Sequence, residues 1–406
     1  MVLIAVLLII FVDNMWSNDL YIKSLFAIKA IQTHSTKALN YFFIAIAYTG
    51  TLPVFLVVMT LIYNYDDRSN WFFINLSAFV SYSATSILKL GYKAPRPYYI
   101  DEGINALQCE SGYAKPSGHA LESSQFLLNL WFMYMYHYSK AKLARILTLF
   151  FAVLFIALIM FDRLYLGVHS LDQVIMGAYL GTLISISFNM LFYDVIKRAY
   201  KMIANREEGY RKYAIPGIIV MLGVHAFNIV IFILNKNNNM GKAYEDTWTQ
   251  NMVTKCPNSI STDLYRVPFI HLSNTLVFIT MFIAMLYSSR KFPESIEAWH
   301  YESGKGKRIA RLLLMLVVMF ICYSPAIFYH PQNVILKAGL CCVVPSLLMG
   351  IWFMVVDRLA LKIKLSTQSN KSEGMNNIKD EDKMGNAIEM APQAINGEPL
   401  DKNSID

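Results

Sequence analysis

About nine stretches of this chain run for roughly 17–25 residues with almost no charge, which is the length that crosses a bilayer. They lie near 41–63, 71–90, 119–138, 146–162, 171–193, 214–235, 267–288, 309–330 and 334–357. In hydrocarbon no water is present to satisfy backbone N–H and C=O groups, so each run must satisfy its own, as an α-helix does. The expected fold class is therefore all-α, a polytopic helical membrane protein with about nine transmembrane helices. Charge content agrees: 16% of residues are charged, against roughly 25% in an average soluble domain.

Between the runs, basic residues gather in three connections. Lys140, Lys142 and Arg145 fill 139–145, six Lys and Arg from Lys197 to Lys212 fill 194–213, and six more from Arg290 to Arg311 fill 289–311. With nine spans all three face one side, which the positive-inside rule makes cytosolic. The opposite loops, 98–118 and 236–266, are then lumenal or extracellular. Lys23, Lys29 and Lys37 run against this rule. The net charge of +8 sits between spans rather than on a soluble face, so nucleic acid is not an expected partner.

Residues 1–12 are apolar but too short to span, and they lack the basic start and small-residue cleavage site of a secretory signal. An interfacial or partly inserted helix is expected there. From about residue 362 the chain turns polar, as a disordered cytosolic tail does. Of five cysteines, three fall within spans and read as small apolar residues. Cys109 and Cys256 both fall in loops on the lumenal side, where a disulfide is open to them. No Cys/His spacing resembles a metal site. His225, inside a span, reads as a buried hydrogen-bonded histidine.

Three short polar clusters stand at the ends of apolar runs. Lys89 ends one run, and Arg96-Pro97 follows it. Such residues often merely snorkel to the headgroups, but together they form a two-cation clamp for a dianion, with Pro95 and Pro97 stiffening the backbone around Arg96. Pro116-Ser117-Gly118-His119 precedes another run. A helix start leaves N–H groups unpaired, with the positive end of the dipole behind them, which suits an anion. Ser117 adds a hydroxyl and Gly118 allows close approach, while His119 can protonate a leaving alkoxide. The third cluster runs from Asp162-Arg163 to His169-Ser170-Leu171-Asp172-Gln173. Arg163 offers a third cation, and an unprotonated His169 nitrogen can attack phosphorus if a partner holds the other ring nitrogen.

This set resembles the signature of the type 2 phosphatidic acid phosphatase and haloperoxidase superfamily, which reads Lys-x6-Arg-Pro, Pro-Ser-Gly-His and Ser-Arg-x5-His-x3-Asp. The resemblance covers residues 89 to about 173. It implies that Lys89, Arg96, Ser117, Gly118 and Arg163 bind phosphate, that His119 is acid and base, and that His169 is the nucleophile. Two positions depart from the pattern. Asp162 replaces the serine beside the third-cluster arginine, where it can pair with Arg163 and weaken phosphate binding. Gln173 occupies the place of the final aspartate, with Asp172 one position earlier. Asp172 is the favoured partner of His169 because a carboxylate stabilises an imidazolium more strongly than an amide; Gln173 is the alternative.

Clusters and resemblance together imply an integral-membrane phosphatase that hydrolyses phosphate monoesters through a phosphohistidine. Its expected site is the lumenal side of the endoplasmic reticulum or another endomembrane. No metal or other cofactor is expected, since Lys and Arg supply the charge. Lipid phosphates are the favoured substrates, because they reach a membrane-surface site by lateral diffusion. A sugar phosphatase is the runner-up: Arg96-Pro97-Tyr98-Tyr99, Cys109-Glu110 and the His169…Gln173-Val174 ending resemble the glucose-6-phosphatase branch, which also has about nine spans. A catalytically inactive binding or scaffold protein with the same fold is the remaining alternative. The expected organisation is an N-terminal interfacial segment over 1–40, a catalytic helical bundle over 41–193, further transmembrane helices over 194–361 and the tail over 362–406.

Overall fold

The computed structural model describes residues 2–137, 139–205, 207–238, 242–257, 263–291, 305–328 and 343–363. Among them every regular element is helical. In chain order these are α1 (Val2–Gln32), α2 (Lys37–Thr49), α3 (Leu52–Tyr65), α4 (Arg68–Tyr92), α5 (Pro97–Ile100), α6 (Gly118–Trp131), α7 (Lys142–Tyr165) and α8 (Leu171–Ser187). They continue with α9 (Tyr193–Asn205), α10 (Arg211–Asn237), α11 (Lys242–Lys255), α12 (Arg266–Lys291), α13 (Lys305–Phe328) and α14 (Val344–Lys362). Short π-helical turns extend α6 over Phe132–Tyr136 and join α8 to α9 over Phe188–Phe192.

Among the described residues, five helical segments are long and apolar enough to cross a bilayer: Arg68–Ile100, Lys142–Tyr165, Leu171–Asn205, Arg211–Asn237 and Arg266–Tyr287. The α2–α3 pair makes a sixth if its 49° bend is crossed by one span. The expectation of about nine is thus met only in part. The runs at 309–330 and 334–357 reach into residues outside the described set, as does the tail beyond 363. The run at 119–138 departs for a physical reason: α6 turns polar side chains inward. Gln125 Nε2 and Asn129 Nδ2 donate to Ser77 Oγ at 2.7 and 2.6 Å, and Asn129 Oδ1 accepts from Ser185 Oγ and Asn189 Nδ2 at 2.9 and 2.7 Å. This network ties α4, α6 and α8 together through partners that lipid cannot offer.

Burial sorts the helices. In α4, 72% of the apolar window is buried, whereas in α7 and α10 the share is 11%, so the latter two present their apolar faces outward. α6 and α8 come into close contact. A Cβ on Gly177 would lie 2.5 Å from Ser117 O, and one on Gly181 would lie 2.1 Å from Leu121 O. Two small residues one turn apart therefore let the backbones touch, as small-residue stripes do in membrane bundles. This contact brings His119, at the start of α6, and His169, just before α8, to one end of the bundle, where both line the same cavity.

The expected interfacial segment is part of a longer element. Residues 13–32 of α1 lie along the end of the bundle where α7 stops and α8 starts. Ser24 Oγ accepts from Leu171 N at 2.8 Å, and Gln32 Nε2 donates to Tyr165 O and Asn105 O, both at 3.0 Å. Two of the lysines that run against the charge rule are neutralised locally: Lys29 pairs with Asp101 at 2.8 Å and Lys23 with Asp19 at 2.6 Å. At the opposite end of the bundle the basic connections meet. Lys197 lies 3.7 Å from Asp67, Trp131 Nε1 donates to Arg145 O, and Arg311, fully buried, donates to Asn64 Oδ1 at 2.5 Å. Inside α10, His225 Nδ1 lies 2.8 Å from Thr275 Oγ1, the hydrogen-bonded setting expected of it.

Gly181→Ala should force α6 and α8 apart and cost about 1–3 kcal/mol, read as a lowered Tm in detergent. Gly223→Ala on α10, whose added Cβ meets nothing within 4 Å, should leave Tm unchanged or raise it slightly.

Candidate active site

Lys89 ends α4, Arg96 precedes α5, His119 opens α6 and His169 precedes α8, so four helix ends converge. Together with Gly118, these four side chains line one cavity of about 250 Å³. Ser117 and Arg163 stand behind its wall. Ser117 is the N-cap of α6, with its Oγ accepting from Ala120 N at 3.5 Å, so the hydroxyl expected to face a phosphate is engaged in capping. Lys89 reaches the cavity, but its ammonium donates to Tyr113 O, Ala114 O and Pro116 O at 3.0, 3.4 and 2.9 Å. It holds the 113–116 stretch of the loop and acts on the cavity through its charge.

Arg96 and Arg163 share one carboxylate. Glu110 Oε2 lies 2.9 Å from Arg96 Nη1, and Glu110 Oε1 lies 2.7 Å from Arg163 Nη1. Both guanidiniums are essentially fully buried. Burial alone would raise the Glu110 pKa, but the Arg96 and Arg163 charges outweigh it and hold the carboxyl well below its usual range. Glu110 therefore stays ionised and sits where these cations would seat an incoming anion. Arg96 also donates through Nε to Gly112 O, through Nη2 to Ser111 O and through Nη1 to Val168 O. Arg163 Nε pairs with Asp162 and Nη2 donates to Gln108 Oε1 at 3.0 Å. Asp162 thus does pair with Arg163, at the edge of the guanidinium away from the Glu110 contact. The bond between Cys109 and Cys256 fastens this loop to the end of α11.

His169 is held from both sides. Gly167, at φ +75°, makes the turn that brings it back towards Arg163, and a Cβ there would lie 2.6 Å from Asn105 O. His169 Nδ1 lies 3.2 Å from Gln173 Oε1, and Nε2 lies 3.2 Å from Arg96 Nη1. A guanidinium only donates, so Nε2 is the accepting nitrogen and Nδ1 carries the proton. The Gln173 amide is fixed the same way round: Nε2 donates to Pro95 O at 3.0 Å, while Oε1 accepts from Ser170 N at 3.1 Å in a capping box. Burial first, then the Arg96 and Lys89 charges, push the His169 pKa well below its usual value, so the imidazole is neutral. His169 Nε2 itself lies 4.0 Å from Glu110 Oε2.

The preference for Asp172 as the partner of His169 is corrected by this geometry. Asp172 Oδ1 accepts from Ser170 Oγ, and Oδ2 lies 3.1 Å from Lys115 Nζ and 3.1 Å from Ser17 Oγ. Lys115 also pairs with Asp13 at 2.6 Å. The carboxylate docks α1, because the first turn of α8 points it towards α1 and Gln173 towards His169. Sequence reasoning missed Lys115 and a second group on the cavity wall, Glu122 with His271 and Asn274, and it gave Glu110 no part in the site. Glu122 and His271 are ionisable residues inside apolar runs, which is the signal that could have found them.

Residues 70–197, about a third of the chain, match the family model of the PAP2 superfamily, and this segment contains all three motif clusters. No curated protein and no solved structure matches the chain.

Glu110→Gln removes the charge that competes for Arg96 and Arg163. Inorganic phosphate should then bind at least about tenfold more tightly, roughly 1.4 kcal/mol, by calorimetry in detergent. Unchanged or weaker binding would mean that the carboxylate does not occupy the anion position.

Proposed function

This chain belongs to the PAP2 superfamily, whose members are phosphatases, and from that premise we propose that it hydrolyses phosphate monoesters through a phosphohistidine at His169. One observation supports the reading: a neutral His169, with its tautomer fixed by Gln173, holds its unprotonated Nε2 4.0 Å from a carboxylate that bridges two buried arginines. That carboxylate marks a position for an anion within about an ångström of attack distance, taking roughly 3–3.5 Å as near-attack.

In the proposed reaction the ester phosphate takes the place of the Glu110 carboxylate between Arg96 and Arg163. Burial and the Arg163 charge hold His119 neutral in the free site, so the ester enters as its monoanion and passes its proton to His119. The Nε2 lone pair of His169 then forms the P–N bond, the P–O bond to the alcohol breaks, and His119 gives that proton to the departing oxygen. His119, now neutral, accepts a proton from water as that water attacks phosphorus. The P–N bond breaks, phosphate leaves, and the lone pair returns to Nε2. The Nδ1 proton stays directed at Gln173 Oε1 throughout, and the amide dipole offsets the imidazolium that forms. The buried cations stabilise charge on the equatorial oxygens, a role they fill without reorganising.

A lumenal face of an endomembrane, such as the endoplasmic reticulum, is the proposed location. The Cys109–Cys256 bond supports an oxidising compartment on the cavity side, and the basic connections gathered at the other end support a cytosolic side there. The surrounding apolar helices are what supports a lipid phosphate, and they do so only through access.

His169→Ala should abolish phosphate release while preserving Tm, and wild-type protein quenched without acid should carry phosphate on His169. Activity should survive EDTA. Full turnover by the variant would remove the nucleophile from the scheme. Gln173→Ala should lower kcat by at least roughly tenfold, about 1.4 kcal/mol in the barrier, whereas Asp172→Asn should lower Tm by loosening α1 and change kcat less. The reverse ranking would restore Asp172 as the partner of His169.

A further inference from the structure

An ester phosphate seated between Arg96 and Arg163 displaces the Glu110 carboxylate, and the fold limits where that carboxylate can go. Its backbone is pinned. The Glu110 carbonyl accepts from Tyr98 Oη and, at 3.2 Å, from Tyr99 Oη, Cys109 before it is bonded to Cys256, and Gly112 O after it accepts from Arg96 Nε at 3.1 Å. Only the side chain is left to turn, by changing rotamer. Open cavity lies beside it, since the Glu110 side chain is 18% exposed against 1% for Arg96 and 0% for Arg163. Most donors on the cavity wall are engaged. The Lys89 ammonium donates to three carbonyls, and His169 Nδ1 faces Gln173 while its Nε2 must stay open to phosphorus. His271 lies 3.0 Å from Glu122, whose like charge keeps a second carboxylate away. His119 differs. It is partly exposed to the cavity and packs against the Gly50 turn, where a Cβ would lie 3.3 Å from its Cδ2, yet its ring makes no hydrogen bond or ion pair among the described residues. Burial first, then Arg163, Arg96 and His271, disfavour protonated His119, whereas Glu110 favours it.

We propose that Glu110 is a positioning residue with two seats: its carboxylate bridges Arg96 and Arg163 in the free protein, and turns to His119 once phosphate enters. There it accepts a hydrogen bond from one ring N–H and holds the other ring nitrogen towards the leaving oxygen. The proposal rests on the phosphatase reading and adds to it a partner for the acid. In the free site His119 is neutral and needs no counter-charge. When the ester hands over its proton, a cation forms beside two arginines, and a carboxylate offsets it both by charge and by a charge-assisted hydrogen bond. One change of rotamer therefore empties the anion seat and supplies the counter-charge at the step that creates the imidazolium. Glu110 stays ionised throughout, so the proton passes from ester to His119 to alcohol and nowhere else. After the alcohol leaves, the same contact orients neutral His119 as it takes a proton from water. The carboxylate returns to the arginines when phosphate departs. Glu110 lies between the first two motif clusters, so this partner belongs to the loop and to neither helix end.

The test uses the full chain in detergent, with protein in excess over ester so that a single turnover is followed and phosphate release plays no part. Alcohol release is measured for a primary alkyl phosphate, whose leaving oxygen needs a proton, and for p-nitrophenyl phosphate, whose leaving phenolate does not. Glu110→Gln should slow cleavage of the alkyl ester at least about tenfold and of the nitrophenyl ester less than about threefold. Because Glu110 favours protonated His119, its loss should also move the alkaline limb of the alkyl ester profile to lower pH. Equal slowing of both esters, or an unmoved limb, overturns the proposal and leaves Glu110 a wall residue. Histidine-labelled protein lets ¹⁵N NMR read His119 directly, with its signal assigned through His119→Asn. On saturation with inorganic phosphate, the difference in His119 protonation equilibrium between wild type and Glu110→Gln should widen by about tenfold. A difference that holds or shrinks means that the carboxylate does not turn to His119. That comparison needs no turnover, so it decides the proposal even if neither ester is cleaved, an outcome that would overturn the phosphatase reading instead.

Discussion

Three cations with almost no solvent contact dictate the architecture around this cavity. Lys89, Arg96 and Arg163 are each 0–1% exposed, and a bare buried charge is not tolerated. The chain answers with carbonyls and carboxylates. The loop from Gln108 to Pro116 wraps around them, offering backbone oxygens to Lys89 and Arg96 and the Gln108 and Glu110 side chains to Arg163. This loop has no regular structure of its own, so its course is fixed by the donors it must satisfy and by the Cys109–Cys256 bond. The cations therefore build the wall that in turn positions them, and removing one would unseat the loop.

The second organising device is the first turn of α8. Gln173 caps the helix, fixes the tautomer of His169 and holds Pro95 next to Arg96. A carboxylate in its place could accept from Ser170 N and His169 but could not donate to Pro95 O. The amide thus links His169 to the backbone beside Arg96 through one rigid side chain, which a carboxylate at this position could not do. Asp172, one residue earlier, faces Lys115 and brings α1 onto the same end of the bundle. Adjacent residues on one turn serve two separate tasks because their directions differ by about 100° around the helix.

The spacing of Lys89, Arg96, His119 and His169 makes their convergence legible, because each stands where an apolar run ends and helix ends gather at one membrane face. The choice between Asp172 and Gln173 is not legible. Positions three and four beyond His169 can both face it, and the deciding contact with Pro95 is far away in sequence. Glu110 lies in a loop without periodicity, so nothing local marks it as the ion that bridges two arginines. Over 119–138 the apolar average hides Gln125 and Asn129. Hydropathy smooths over such residues, whereas the fold uses them to join helices. Glu122 and His271 carry a usable signal, but their meeting depends on how α6 and α12 pack.

The chain divides its labour in a way that the matched segment makes visible. Residues 70–197 contain the three buried cations, both histidines and the amide that holds one of them. Outside it lie Cys256, which anchors the Glu110 loop, Asp13 and Ser17, which dock α1 on Lys115 and Asp172, and His271, which completes the inner cavity. α12 packs against α4 and reaches α6 through the Glu122–His271 pair, so it forms one wall of the cavity while sharing no turn with the motif clusters. Changes on α12 would then reshape this wall without disturbing the hydrogen bonds that hold His169.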